Sequence, residues 1–163
     1  MAAANEQHRA AIKLEARLGR WPRRLLHIPS MTSHECQPRD LYGNVYSPQY
    51  NAIAYTWGRF REIDTSLQVP ILHVNGIEWS IPMIKPVHFD VAKLNAAIQR
   101  STSDYLAENG GCIEYLWIDI ACIVQRRNID SDLEIDRQAQ IFGHAHRVGL
   151  EWRGWRQSRS LSS

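Results

Sequence analysis

The stretch Tyr115-Leu-Trp-Ile-Asp-Ile-Ala-Cys-Ile-Val-Gln125 decides how the rest of the chain is read. Nearly every position is apolar, too many for a strand wetted on one face, so it predicts a strand buried on both faces. Asp119 interrupts the run. An unpaired buried charge is costly. This carboxylate therefore needs either dedicated partners or a place at the rim of a sheet, where α/β proteins set their ligand sites.

Upstream, Tyr50-Asn-Ala-Ile-Ala-Tyr-Thr-Trp57 reads as a second central strand from its aromatic and β-branched content, closed by Gly58. Asn75-Gly76 between Val69–Val74 and Ile77–Ile81 predicts a β-hairpin with a type I′ turn, which Pro70 and Pro82 confine to a sheet edge. Asp90 is a candidate N-cap for a helix from Val91 to about Arg100. Ser131-Asp-Leu-Glu134 matches a capping box with Glu134 at N3, opening a helix to about Ala145 that buries Gln138, Ile141, Phe142 and Ala145. Arg147 to Trp152 reads as a last strand. Near the N-terminus, Ala11, Leu14, Leu18, Trp21 and Leu25 recur at helical spacing, and Pro22 ends the helix they mark. Arg23 to Ile28 reads as a short strand. Residues 29–49 are rich in Pro, Ser, Gly, Asn and Gln and read as a loop. The alternation predicts an α/β fold: a mostly parallel central sheet, flanking helices and an antiparallel edge hairpin.

Composition narrows the function classes. A length of 163 residues suits one core, and a formal net charge of +2 gives no strong attraction to nucleic acid or to an anionic membrane. The three cysteines are odd in number and none has metal-ligand spacing, so they read as free thiols in a reducing compartment, with no metal site. The expectation is a cytoplasmic protein without nucleic-acid or membrane partners. No G-x-G-x-x-G or P-loop occurs, which disfavours the usual nucleotide cradles.

Two stretches together resemble the heterokaryon incompatibility (HET) domain of fungi. Tyr50-Asn-Ala-Ile-Ala-Tyr-Thr-Trp-Gly58 is similar to that family's opening Tyr-x-Ala-Leu-Ser-Tyr-x-Trp-Gly. Leu116-Trp-Ile-Asp-Ile-Ala-Cys-Ile-Val-Gln125 is similar to its central Leu-Trp-Ile-Asp-x-x-Cys-Ile-x-Gln. Glu134, Gln138, Ile141, Phe142 and Ala145 resemble the helix that follows, although the segment from Glu134 to Ile141 is about one turn shorter than in the family pattern, so that either Glu134 or Asp130 fits the family's Glu position. Arg24-Leu-Leu-His27 and the Asn75-Gly76 turn also sit where the family has such elements, so the likeness spans roughly residues 22–150. The expected organisation is a helical extension over 1–21, a HET-like domain over 22–152 and a disordered tail over 153–163, with a C-terminus that looks truncated or divergent.

The resemblance implies non-self recognition and programmed cell death through protein contacts, including self-association, with no cofactor. The family's distant likeness to Toll/interleukin-receptor (TIR) domains implies a second reading, a hydrolase that takes NAD or a related nucleotide as substrate. A third is an inactive fragment of a longer HET protein. For the hydrolase, Glu134 and Asp119 are the catalytic candidates, because glycosidic cleavage needs a carboxylate beside the ribose. Trp57, Arg59 and Gln125 are the ligand-binding candidates. There are local alternatives: Asp119 capping nearby amides or pairing with an arginine such as Arg59, Glu134 in a capping box, Trp57 in the core, and Gln125 orienting the loop after the strand through its amide. Cys122 reads as core, with a nucleophile paired to His144 or His146 as the alternative.

Overall fold

The computed structural model describes residues 2–54, 71–83, 91–103 and 110–150. Its main sheet has five strands. These are β1 (Arg24–His27), β2 (Thr32–Glu35), β5 (Tyr50–Ala54), β6 (Tyr115–Ile118) and β7 (Val148–Leu150), in the order β2-β1-β6-β5-β7. A separate two-stranded ribbon is formed by β3 (Leu41–Tyr42) and β4 (Val45–Tyr46). The helices are α1 (Ala2–Leu18), α2 (Val91–Ser103), α3 (Asp119–Cys122), α4 (Ile129–Asp136) and α5 (Gln138–His144).

The α/β class stands, but the sheet is mixed rather than mostly parallel. β5 runs parallel to β6 and to β7, while β1 is antiparallel to both β6 and β2. Connection length explains the difference. β1 and β2 are joined by four residues, which only an antiparallel pair permits, whereas the parallel neighbours are separated by long connections that carry α2, α4 and α5. β6 sits at the junction of the two regimes. All four of its residues are buried, which agrees with its unbroken apolar run, and Leu25 and Leu26 of β1 are buried beside it between the half-buried Arg24 and His27.

The loop expected over residues 29–49 holds β2, β3 and β4. Its polar composition fits an edge strand and a surface ribbon as well as a loop. The expected Asn75-Gly76 hairpin is not formed across residues 71–81. Instead Asn75 makes a single parallel bridge to Thr32, extending the β2 edge. Ser33 N–H donates to Asn75 O at 2.9 Å and Asn75 N–H to Met31 O at 2.8 Å. Gly76 carries φ +75°, and a Cβ there would stand 2.6 Å from Ser33 O. Gly76→Ala should therefore cost about 2–4 kcal/mol, from the left-handed backbone and the clash together. Its denaturant midpoint measures this.

The helix expected from Ser131 to Ala145 is two helices, broken at Arg137, whose φ and ψ are −90° and 0°. Its N-cap is Asn128, not Ser131. The Asn128 side chain accepts from Ser131 N–H at 2.7 Å, and Ser131 Oγ accepts from Asn128 N–H at 2.9 Å. Ser131 therefore takes the N3 position, and Glu134 is released from capping. The core fills with Tyr42, Tyr50, Trp117, Leu94, Ile98 and Ile141, against which Phe142 and Ala145 are partly buried. Trp117 meets Phe142 edge to face at 5.2 Å. α1 ends at Leu18, ahead of Pro22, with Gly19 at φ +55°. The expected tail lies outside the described residues.

Candidate functional site

β5 and β6 are parallel and in register, with Ile53 opposite Ile118, so both reach the same edge of the sheet. In open α/β sheets this carboxyl edge is where ligands bind. Asp119 follows β6 there and opens α3. Its Oδ1 accepts from Ile120 N–H at 2.7 Å, and the residue is half-buried at the lip of the sheet. Its carbonyl accepts from Ile123 N–H at 2.7 Å and from Gln125 Nε2 at 3.2 Å. Gln125 Nε2 also donates to Ile123 O at 2.9 Å. The amide of Gln125 thus clips the turn after β6, keeping Asp119 in a fixed position.

Three residues outside the site candidates named from the sequence surround this turn. Ser33 donates its hydroxyl to Ala121 O at 2.7 Å and accepts from Arg24 Nε at 3.0 Å. Trp79 donates its indole N–H to Ile120 O at 3.0 Å. The Arg24 guanidinium stands 5.5 Å from the centre of the Trp79 ring and donates to Ser33 O and Gly76 O. Burial lowers the pKa of Arg24, and Glu35 offsets part of that effect. The signal for this cluster is long-range: strand pairing of β1 with β2, and the docking of Gly76 on β2, bring its members to α3. Trp57 and Arg59 lie outside the described residues, beyond the end of β5 at Ala54.

Glu134 lies near the same end of the sheet. Extending the β1–β6 register sets Arg23 opposite Asp119, and Arg23 N–H donates to Glu134 Oε1 at 2.7 Å. Glu134 Oε2 accepts from Arg137 Nη1 at 2.9 Å, with both side chains only 4% exposed. Arg137 Nη2 donates to Gly19 O at 2.7 Å and Trp21 O at 2.6 Å. Arg23 Nη1 pairs with Asp130 at 2.8 Å. The Glu134–Arg137 pair thereby fastens the Gly19–Arg23 link to α4 and α5. Beside it, a shallow cleft open to solvent runs along the seam between α1 and α4, lined by Ala11, Leu14, Leu18 and Leu133.

Cys122 lies on α3, not on a continuing strand. Burial pushes its thiol up to about 12, so it is protonated at neutral pH. The thiol points to Leu116 O at 3.7 Å. His144 packs edge-on to Trp21 at 4.6 Å, and burial lowers its pKa. His146 is exposed, and its backbone N–H donates to Tyr50 O. This arrangement offers no activated thiolate. Alkylation of the native protein should modify exposed Cys112 alone, with Cys36 and Cys122 reacting only after unfolding, as mass spectrometry would register. Among the described residues no group of three potential metal ligands occurs, and no helix is long and apolar enough to cross a membrane.

The fold and this edge define an α/β protein whose mixed sheet presents a clipped aspartate turn beside its parallel pair. A family model described as heterokaryon incompatibility protein (HET) matches residues 50–161, which is more than half of the chain. The chain belongs to that family. No curated protein and no solved structure matches it.

Proposed function

We propose that this HET-family chain acts in non-self recognition leading to programmed cell death, through protein contacts rather than catalysis. One observation carries the choice. Both oxygens of Glu134, the first catalytic candidate, accept hydrogen bonds from the chain itself, from the Arg23 amide and the Arg137 guanidinium. A carboxylate that stabilises an oxocarbenium-like sugar must face the ribose instead. The raised thiol of Cys122 argues in the same direction.

A TIR-like hydrolase of NAD or a related nucleotide is the second reading. It draws on Asp119 standing at the carboxyl edge of the parallel pair, where α/β folds take nucleotides. Incubating the purified chain with NAD, alongside sedimentation over a range of concentrations, separates the two. Protein-contact function predicts intact NAD and association that grows with concentration. NAD loss that disappears in Asp119→Asn, at an unchanged melting temperature, would overturn it.

A further inference from the structure

α1 is held to the body of the protein through its C-terminal half. Every residue from Asn5 to Ala10 is exposed, and among its described side chains only Ala11 and Leu18 are buried, with Leu14 partly so. These three line one side of the shallow cleft, and Leu133 and Asp130 of α4 line the other. The two helices are complementary in charge. α4 carries Asp130, Asp132, Glu134 and Asp136 and no cation, three of them paired with Arg23, Arg127 and Arg137, whereas α1 carries Arg9, Lys13 and Arg17 against two glutamates. The link that follows α1 is fastened independently of it. Arg137 holds the carbonyls of Gly19 and Trp21, and Glu134 holds the amide of Arg23. The hinge therefore falls at Leu18–Gly19, where Gly19 has φ +55° and open space around it. Across that hinge, Arg17 Nη2 donates to Cys36 O at 3.0 Å.

We infer that α1 is an exchangeable helix, and that its seat on α4 accepts α1 of a second copy in place of the chain's own. Exchange of an identical element needs no new contact, only opening of the hinge. A 17-residue helix exposed from Asn5 to Ala10 is marginal in water, so it gains order from a neighbour. The inference rests on the reading of this chain as a protein-contact module and names the surface it uses.

A fluorescent peptide of residues 2–20 tests it against the full chain. In wild type the cis helix competes; in Leu14→Asp it is weakened. The peptide should bind Leu14→Asp at least about ten-fold more tightly than wild type, and adding Leu133→Asp should abolish that binding. If Leu14→Asp does not fold, Arg17→Glu, at an exposed position, serves in the same comparison. Equal affinity for wild type and variant, or no binding to a folded variant, overturns the exchange. Association of the full chain without peptide binding would remove this surface and leave the protein-contact reading standing. NAD turnover would remove that reading whatever the peptide does.

Discussion

Glu134→Ala should lower the free energy of unfolding by about 3–5 kcal/mol, the cost of removing one partner from a buried ion pair. The guanidinium of Arg137 would keep its two carbonyl acceptors, at Gly19 and Trp21, but would stay buried without its counter-charge. The Arg23 amide would lose its acceptor as well. Chemical denaturation followed by far-ultraviolet circular dichroism measures the loss. Glu134→Gln should cost less, because an amide oxygen still serves Arg23, but it too removes the charge facing Arg137.

Trp117→Ala should cost about 3–5 kcal/mol for a different reason. Trp117 is 1% exposed and sits in the most enclosed strand, next to β1 and β5. Its removal leaves a large void where it met Phe142 edge to face, and the rigid pair of flanking strands limits collapse into that space. Trp117→Phe keeps most of the volume and should recover more than half of the loss, which the same denaturation experiment tests.

What could be read from the sequence follows from how local each signal is. β5, β6 and α2 announce themselves through apolar runs and helical periodicity, and the place of Asp119 at a strand end follows from the break in one such run. Thr32-Ser-His-Glu35 has no such pattern. It becomes a strand because Arg24 to His27 pairs with it across a short turn. Gly76 was legible as a turn residue, but its partner is β2 rather than a second hairpin arm, a contact 43 residues away in the chain. The break between α4 and α5 is tied to Arg137, which is buried and pinned to Gly19 and Trp21 more than a hundred residues upstream. Glu134 was legible as a notable carboxylate. Its role was not, because the amide it holds is 111 positions away. The family match begins at Tyr50, yet β1 and β2 lie before it and supply two of the five strands.

The most direct test of the claim that Glu134 serves to fasten the chain is a double-mutant cycle on Glu134→Ala and Arg137→Ala. The double variant should cost little more than either single, giving a coupling of about 3 kcal/mol or more. Costs that add to within about 0.5 kcal/mol, or a Glu134→Ala protein as stable as the parent, would show that the carboxylate is not held by Arg137 and would return it to the candidates for chemistry.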